Sequence, residues 1–145
     1  MKIVLQRVTE ASVEVSGAII SSINNGLLLL VGADKGDDSS KADYLADRIL
    51  GMRIFEDDDG KMNLSVNDIA GEVLVVSQFT LSADISKGRR PSFASAMEPD
   101  EAEQLFNYFV GKLKESGLEI KTGQFGAKMN VKLLNDGPVT FVLES

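Results

Sequence analysis

Two unbroken apolar runs, Leu27-Leu28-Leu29-Leu30-Val31 and Val73-Leu74-Val75-Val76, do most to restrict the folds open to this chain. Neither alternates with polar residues, so each reads as a strand covered on both faces. Around them the pattern is strand-rich. Val13 and Val15 alternate with Ser12 and Glu14, and Gly17 marks a tight turn into Ile19-Ile20. Met129, Val131 and Leu133 alternate with Lys128, Lys132 and Leu134, and Phe141-Val142-Leu143 forms a last strand.

Two helices supply the cover. Ala42, Leu45, Ala46 and Ile49 follow the i, i+3, i+4, i+7 spacing of one helix face, with Asp37, Asp38 and Ser39 available to cap its start. Ala102, Leu105, Phe106, Phe109, Val110 and Leu113 make a longer stripe. Pro99 suits the first turn of that helix, Asp100, Glu101 and Glu103 suit its dipole, and Gly117 can end it. Both stripes face a core. The expected fold class is α+β, a strand-rich, barrel-like sheet with two main helices, in one domain over residues 1–145.

The chain of 145 residues has no histidine and no cysteine. That excludes Ser-His-Asp and Cys-His catalysis, a disulfide framework, and the ligands of most zinc sites. Asp57-Asp58-Asp59-Gly60 lacks the spaced ligands of an EF-hand loop and reads as a solvated turn, so no metal and no cofactor are expected. No apolar run approaches the ~20 residues of a membrane-spanning helix, and the opening residues lack a signal-peptide layout. The cytoplasm is the expected compartment, with no membrane partner. A formal net charge of −7 argues against a general polyanion-binding surface, and no DNA partner is expected. One basic cluster stands out, Lys87-Gly88-Arg89-Arg90, whose plain reading is a solvated loop.

Two short stretches carry the chemistry. Ser77-Gln78-Phe79-Thr80-Leu81 follows directly on a buried strand, where side chains and amides are held by the core behind them. Ser77 and Thr80 supply hydroxyls, Gln78 an amide, and the backbone around Phe79 and Thr80 presents N–H groups suited to an oxyanion. Read alone, the stretch is better taken as a polar strand end whose hydroxyls cap neighbouring backbone groups. The second is Asn135-Asp136-Gly137-Pro138-Val139-Thr140, whose Gly-Pro step reads as a turn between two strands.

Together these two stretches resemble the signature motifs of the D-aminoacyl-tRNA deacylases. The resemblance extends over essentially the whole chain, through Met1-Lys2-Ile3-Val4-Leu5-Gln6-Arg7-Val8, Gly88-Arg89-Arg90-Pro91-Ser92-Phe93 and Gly123-Gln124-Phe125-Gly126-Ala127-Lys128-Met129. It implies a hydrolase that cleaves the ester between a D-amino acid, or glycine, and the terminal adenosine of tRNA. It further implies a homodimer whose active site lies at the subunit interface. Gly137-Pro138 would be cis and would enter the partner's pocket, its carbonyls holding the substrate amino group and excluding an L side chain. Adenosine would lie on Phe125, Gly126, Ala127 and Met129, with core packing as the rival reading for Phe125 and Met129. Arg7 would brace the Gly-Pro turn, and Lys87, Arg89 and Arg90 would meet tRNA phosphates.

The resemblance leaves two roles open to Thr80, as nucleophile or as part of a positioning pocket in which the ribose 2′-hydroxyl assists. With no histidine to serve as base, and with an ester that is already activated, the positioning role is favoured, Phe79 and Thr80 amides acting as oxyanion donors. Two readings from other classes are a non-catalytic nucleotide- or RNA-binding module, and a small-molecule hydrolase with a threonine nucleophile.

Overall fold

The computed structural model describes residues 1–145. Strand β1 (Lys2–Val15) turns through Ser16 and Gly17, both at positive φ, into β2 (Ala18–Ile23), and β3 (Gly26–Gly32) follows. Helix α1 (Ser39–Gly51) leads to a small hairpin, β4 (Phe55–Glu56) and β5 (Met62–Leu64). Strand β6 (Glu72–Ser77) runs into a 3-10 turn (Phe79–Ser82), and helix α2 (Pro99–Lys114), β7 (Ile120–Thr122) and β8 (Asn130–Glu144) complete the order.

Six of these strands form one sheet in the order β2-β1-β3-β6-β7, with β8 paired to the other side of β1. β3, β6 and β7 run parallel, and α1 and α2 lie in the two crossovers between them. The sheet curls until β2 meets β7. There Ser21 Oγ donates to the Thr122 carbonyl at 2.9 Å and Lys121 Nζ to the Ser22 carbonyl at 2.7 Å. The result is the expected barrel-like α+β architecture.

The two apolar runs explain this arrangement. On β3, Leu27, Leu29 and Val31 pack toward the helices while Leu28 points into the barrel; on β6, Val73 and Val75 face the helices while Leu74 and Val76 face inward. Each run is therefore split between two cores, the larger between sheet and helices and the smaller inside the barrel with Val8, Ala11, Val13 and Ile23. Both helices present their expected stripes. Asp38 caps α1 by accepting from the Lys41 amide, and Pro99 opens α2 with Asp100 and Glu101 in its first turn. Phe109 of α2 is fully buried, a burial that contributes about 1.5–3 kcal/mol.

Two expectations need correction. Gly137-Pro138 is not a turn between two strands: β8 pairs with β1 on both sides of it, and Asp136, Gly137, Pro138 and Val139 bulge out opposite Arg7. Leu133 does not continue the inward alternation of Met129 and Val131 but is exposed, as is Leu134 beside it. The bulge and the twist of a 15-residue strand carry that face away from the core. The short strands β5 and β7 carry too few residues to show a period in the sequence.

Candidate active site

The parallel pair β3 and β6 ends in one place, and the chain after each strand forms the site there. The Gln78 amide donates to the Val31 carbonyl at 2.7 Å, extending the ladder by one step before the 3-10 turn. Gly32 makes room for that turn, since a Cβ there would come within 3.0 Å of the Gln78 carbonyl and of Leu81 Cβ. The turn closes through Leu81 N to the Gln78 carbonyl and Ala83 N to the Thr80 carbonyl. The Phe79 and Thr80 amides have no acceptor in the protein and form the open start of the turn. Thr80 Oγ1 accepts from Gln78 Nε2. No carboxylate or amine contacts that hydroxyl, so nothing in the chain is placed to take its proton.

A second segment is brought against this strand end by β7. The Gly123 amide donates to the Val75 carbonyl at 3.0 Å, continuing the β6 ladder, and a turn closed by Ala127 N to the Gln124 carbonyl follows, with Gly126 at positive φ. Phe125 packs its ring 5.9 Å from that of Phe106 on α2. A third segment, the loop from Ala83 to Glu98, is pinned beside β3 by Lys35 N to the Ser95 carbonyl and Met97 N to the Ala33 carbonyl.

These segments enclose a cavity of about 590 Å³. Ser77, Gln78 and Phe79 line it, as do Phe125, Gly126, Ala127 and Met129. The structure thus brings together two groups of residues that lie far apart in the sequence. Phe125 and Met129 also touch the core, so the packing reading holds for both while the same two residues line the cavity. Fourteen of the lining residues are hydrophobic, and Lys35 and Glu98 at the mouth carry the only charged side chains. The sequence reading missed Lys35, Ala33, Ala96, Met97 and Glu98. A usable signal was present for the first two, which directly follow an apolar strand, where α/β sheets place their ligands.

Seven expected site residues lie elsewhere. Thr80 is exposed just beyond the lining. Lys87, Arg89 and Arg90 sit exposed at the tip of a loop held by the paired Asp84 and Ser92. Gly137, Pro138 and Arg7 form a separate constellation on β1 and β8, outside the cavity of their own chain.

That constellation is held by bonds from several segments. The Gly137–Pro138 peptide is cis. Gly137 has φ +135°, and a Cβ there would meet Val139 Cγ2 at 2.6 Å, so only glycine fits. Asn135 closes the base of the bulge: its Oδ1 accepts from Val139 N at 2.7 Å and its Nδ2 donates to Thr140 Oγ1 at 3.0 Å. Arg7 is buried beneath. Its Nε donates to the Asp136 carbonyl at 3.2 Å and approaches the Asp136 carboxylate at 3.1 Å. Its Nη1 donates to the Ile54 carbonyl at 2.7 Å, tying the bulge to the β4–β5 hairpin. Pro138 is exposed at the tip.

The whole chain has close relatives. The family model for D-Tyr-tRNA(Tyr) deacylase matches residues 4–144. A D-aminoacyl-tRNA deacylase of Geotalea uraniireducens is 57% identical over 145 residues, which cover 100% of this chain and 94% of that one. The D-aminoacyl-tRNA deacylase of Brevibacillus brevis is 52% identical over 145 residues, covering 100% of both chains. Among solved structures, a c-Myc DNA unwinding element binding protein superposes with a TM-score of 0.94 at 45% identity, covering 100% of this chain and 99% of that one. A probable eukaryotic D-amino acid tRNA deacylase superposes with a TM-score of 0.82 at 15% identity over 98% and 97% of the two chains, a likeness of fold. The chain belongs to the D-Tyr-tRNA(Tyr) deacylase family.

Proposed function

We propose that this protein hydrolyses the ester between a D-amino acid, or glycine, and the 3′-terminal adenosine of tRNA, releasing both and sparing L-aminoacyl-tRNA. The observation that carries the reading is the cavity that sets Ser77, Gln78 and Phe79 against Phe125, Gly126, Ala127 and Met129. An apolar slot with a ring, a thioether and a close-approach glycine suits a purine, and two free amides stand at its edge for the ester. Water attacks the ester carbonyl, the Phe79 and Thr80 amides hold the developing oxyanion, and the ribose 3′-oxygen leaves with a proton, the 2′-hydroxyl assisting. Thr80 positions rather than attacks: its hydroxyl is bonded to Gln78 and has no base.

Chiral selection falls to Gly137 and Pro138, acting in the cavity of a second copy within a homodimer. Support comes from their placement, since they project from β8 outside the site cavity of their own chain. Their carbonyls receive the substrate amino group, and the bulge backbone, braced by Arg7, occupies the space an L side chain needs. Ile85, an exposed apolar residue just past the 3-10 turn, offers surface for such a partner. Lys87, Arg89 and Arg90 meet phosphates of the acceptor end. No helix is long and apolar enough to cross a membrane, and a cytoplasmic site of action fits a tRNA substrate.

The 45%-identical structure named for a DNA element raises DNA as a rival nucleic acid. A formal net charge of −7 favours a single-stranded acceptor end over a duplex. Deacylation of matched D- and L-tyrosyl-tRNA by the purified protein tests the proposal. Release of D-tyrosine with L-tyrosyl-tRNA intact is the expected result; equal rates, or none with the D ester, would overturn it. Sedimentation at assay concentration should report twice the chain mass.

A further inference from the structure

The mouth of the cavity carries features that the terminal adenosine and its amino acid do not use. Phe79 and Phe93 pair there with ring centroids 5.1 Å apart and planes tilted by 59°. Both rings line the cavity and both remain exposed, at 61% and 39%. Beside them stands Lys35, the cavity's one cationic side chain, held by the Ala94 carbonyl at 2.9 Å and facing Glu98 at 3.6 Å. A single cation at the rim of an apolar slot, in a protein of net charge −7, is where an anionic group leaving the slot would find its counter-charge. An exposed aromatic pair next to it offers a face to a base, which stacks without regard to sequence.

The geometry points to a second nucleotide subsite at this mouth: the base preceding the terminal adenosine stacks on Phe93, backed by Phe79, and the phosphate joining the two nucleosides meets Lys35. This rests on the deacylase reading above, which puts the adenosine inside. The chain of a nucleic acid must leave the slot through its 5′-phosphate, and the mouth is the way out. Glu98 opposes the phosphate; its side chain is 72% exposed, free to turn to solvent when Lys35 changes partner. The residue thus tempers affinity for anions rather than blocking them.

Three D-tyrosyl esters test the subsite: those of adenosine, adenosine 5′-monophosphate and the cytidylyl-adenosine dinucleotide. kcat/KM should rise at each step, on the order of 10-fold for the stacked base. Lys35→Ala should bring the monophosphate-to-adenosine ratio down to about 1 while Lys35→Arg keeps it, and Glu98→Gln should raise it. Phe93→Ala should abolish the dinucleotide-to-monophosphate ratio while Phe93→Tyr keeps it. Equal kcat/KM for all three esters in the wild-type protein would overturn the subsite, as would ratios that survive Lys35→Ala and Phe93→Ala. A uniform loss on all three esters in Phe93→Ala, with a lighter sedimenting species, would also overturn it by assigning Phe93 to the subunit contact. Failure on all three esters and on D-tyrosyl-tRNA together would instead refute the deacylase reading.

Discussion

Arg7 is where stability and activity should separate most informatively. Its guanidinium satisfies two backbone carbonyls from different parts of the chain, Ile54 at 2.7 Å and Asp136 at 3.2 Å. The carboxylates of Asp136 and Glu56 are 44% and 62% exposed, so their share is screened and counts for little. Arg7→Met keeps the stem and removes both donors. A hydrogen bond from a charged donor is worth about 1.5–3 kcal/mol, with the part-exposed Asp136 bond at the lower end. The sum is about 3–4.5 kcal/mol, measurable as a shift of the urea midpoint at constant m-value. Arg7→Lys offers a compact ammonium that reaches one carbonyl well but not both, and should recover about half of that loss. Activity should not follow in proportion. Both bonds are needed to fix the bulge relative to the hairpin, and a misplacement near 1 Å costs on the order of 10²-fold. Deacylation of D-tyrosyl-tRNA should therefore fall at least about 10-fold in the folded Arg7→Lys protein. A loss below about 1 kcal/mol for Arg7→Met with an undiminished D rate would refute the bracing argument.

Three further outcomes can be checked. Thr80→Ala should retain most of the deacylation rate, whereas Phe79→Pro, which deletes an amide donor, should lose about 10²–10³; complete loss in a folded, substrate-binding Thr80→Ala would restore the nucleophile. Phe109→Ala, at a fully buried position of α2, should destabilise by about 3–5 kcal/mol in thermal or urea melts. Burial raises the Asp37 carboxyl, but bonds from Lys41, the Met1 ammonium and the Asp34 amide outweigh it and leave it below its ordinary 3.8. A depressed folded value means stabilisation present above the ordinary value and lost as pH falls through the folded one. Asp37→Asn should thus be less stable than wild type at neutral pH, with the gap closing below about pH 4.

The sheet, both helices and the site's strand end were legible because each rests on a local signal. The split of Leu27–Val31 and Val73–Val76 between two cores follows from unbroken apolarity, and α1 and α2 from spacing and caps. The parts that were not legible depend on pairing between distant segments. Nothing in Asn135–Thr140 by itself distinguishes a turn from a bulge; the difference lies in β1, which pairs on both sides. Lys35 and Glu98 carry no pattern of their own and reach the cavity only because the loop before α2 is pinned to the end of β3. Gly32 and Gly137 are single residues whose necessity appears only once the neighbour that would clash is in place.

The pairing of β1 with β8 has a consequence for how the chain is made. Asn130 comes 116 residues after its partner Glu14. On the ribosome, β1 is synthesised first and can pair with β2 and β3 within moments, yet its other edge waits for nearly the rest of translation. During that interval a long strand presents unpaired amides and carbonyls to any passing strand. Arg7 stands in the middle of that open edge, as a buried cation in the finished protein and a solvated one beforehand. Charges on an open edge disfavour strand addition, and Arg7 is one of several on β1, with Lys2, Glu10 and Glu14. Slow codons or chaperone contact late in the message would have their largest effect on yield here, with the open edge as the point of vulnerability.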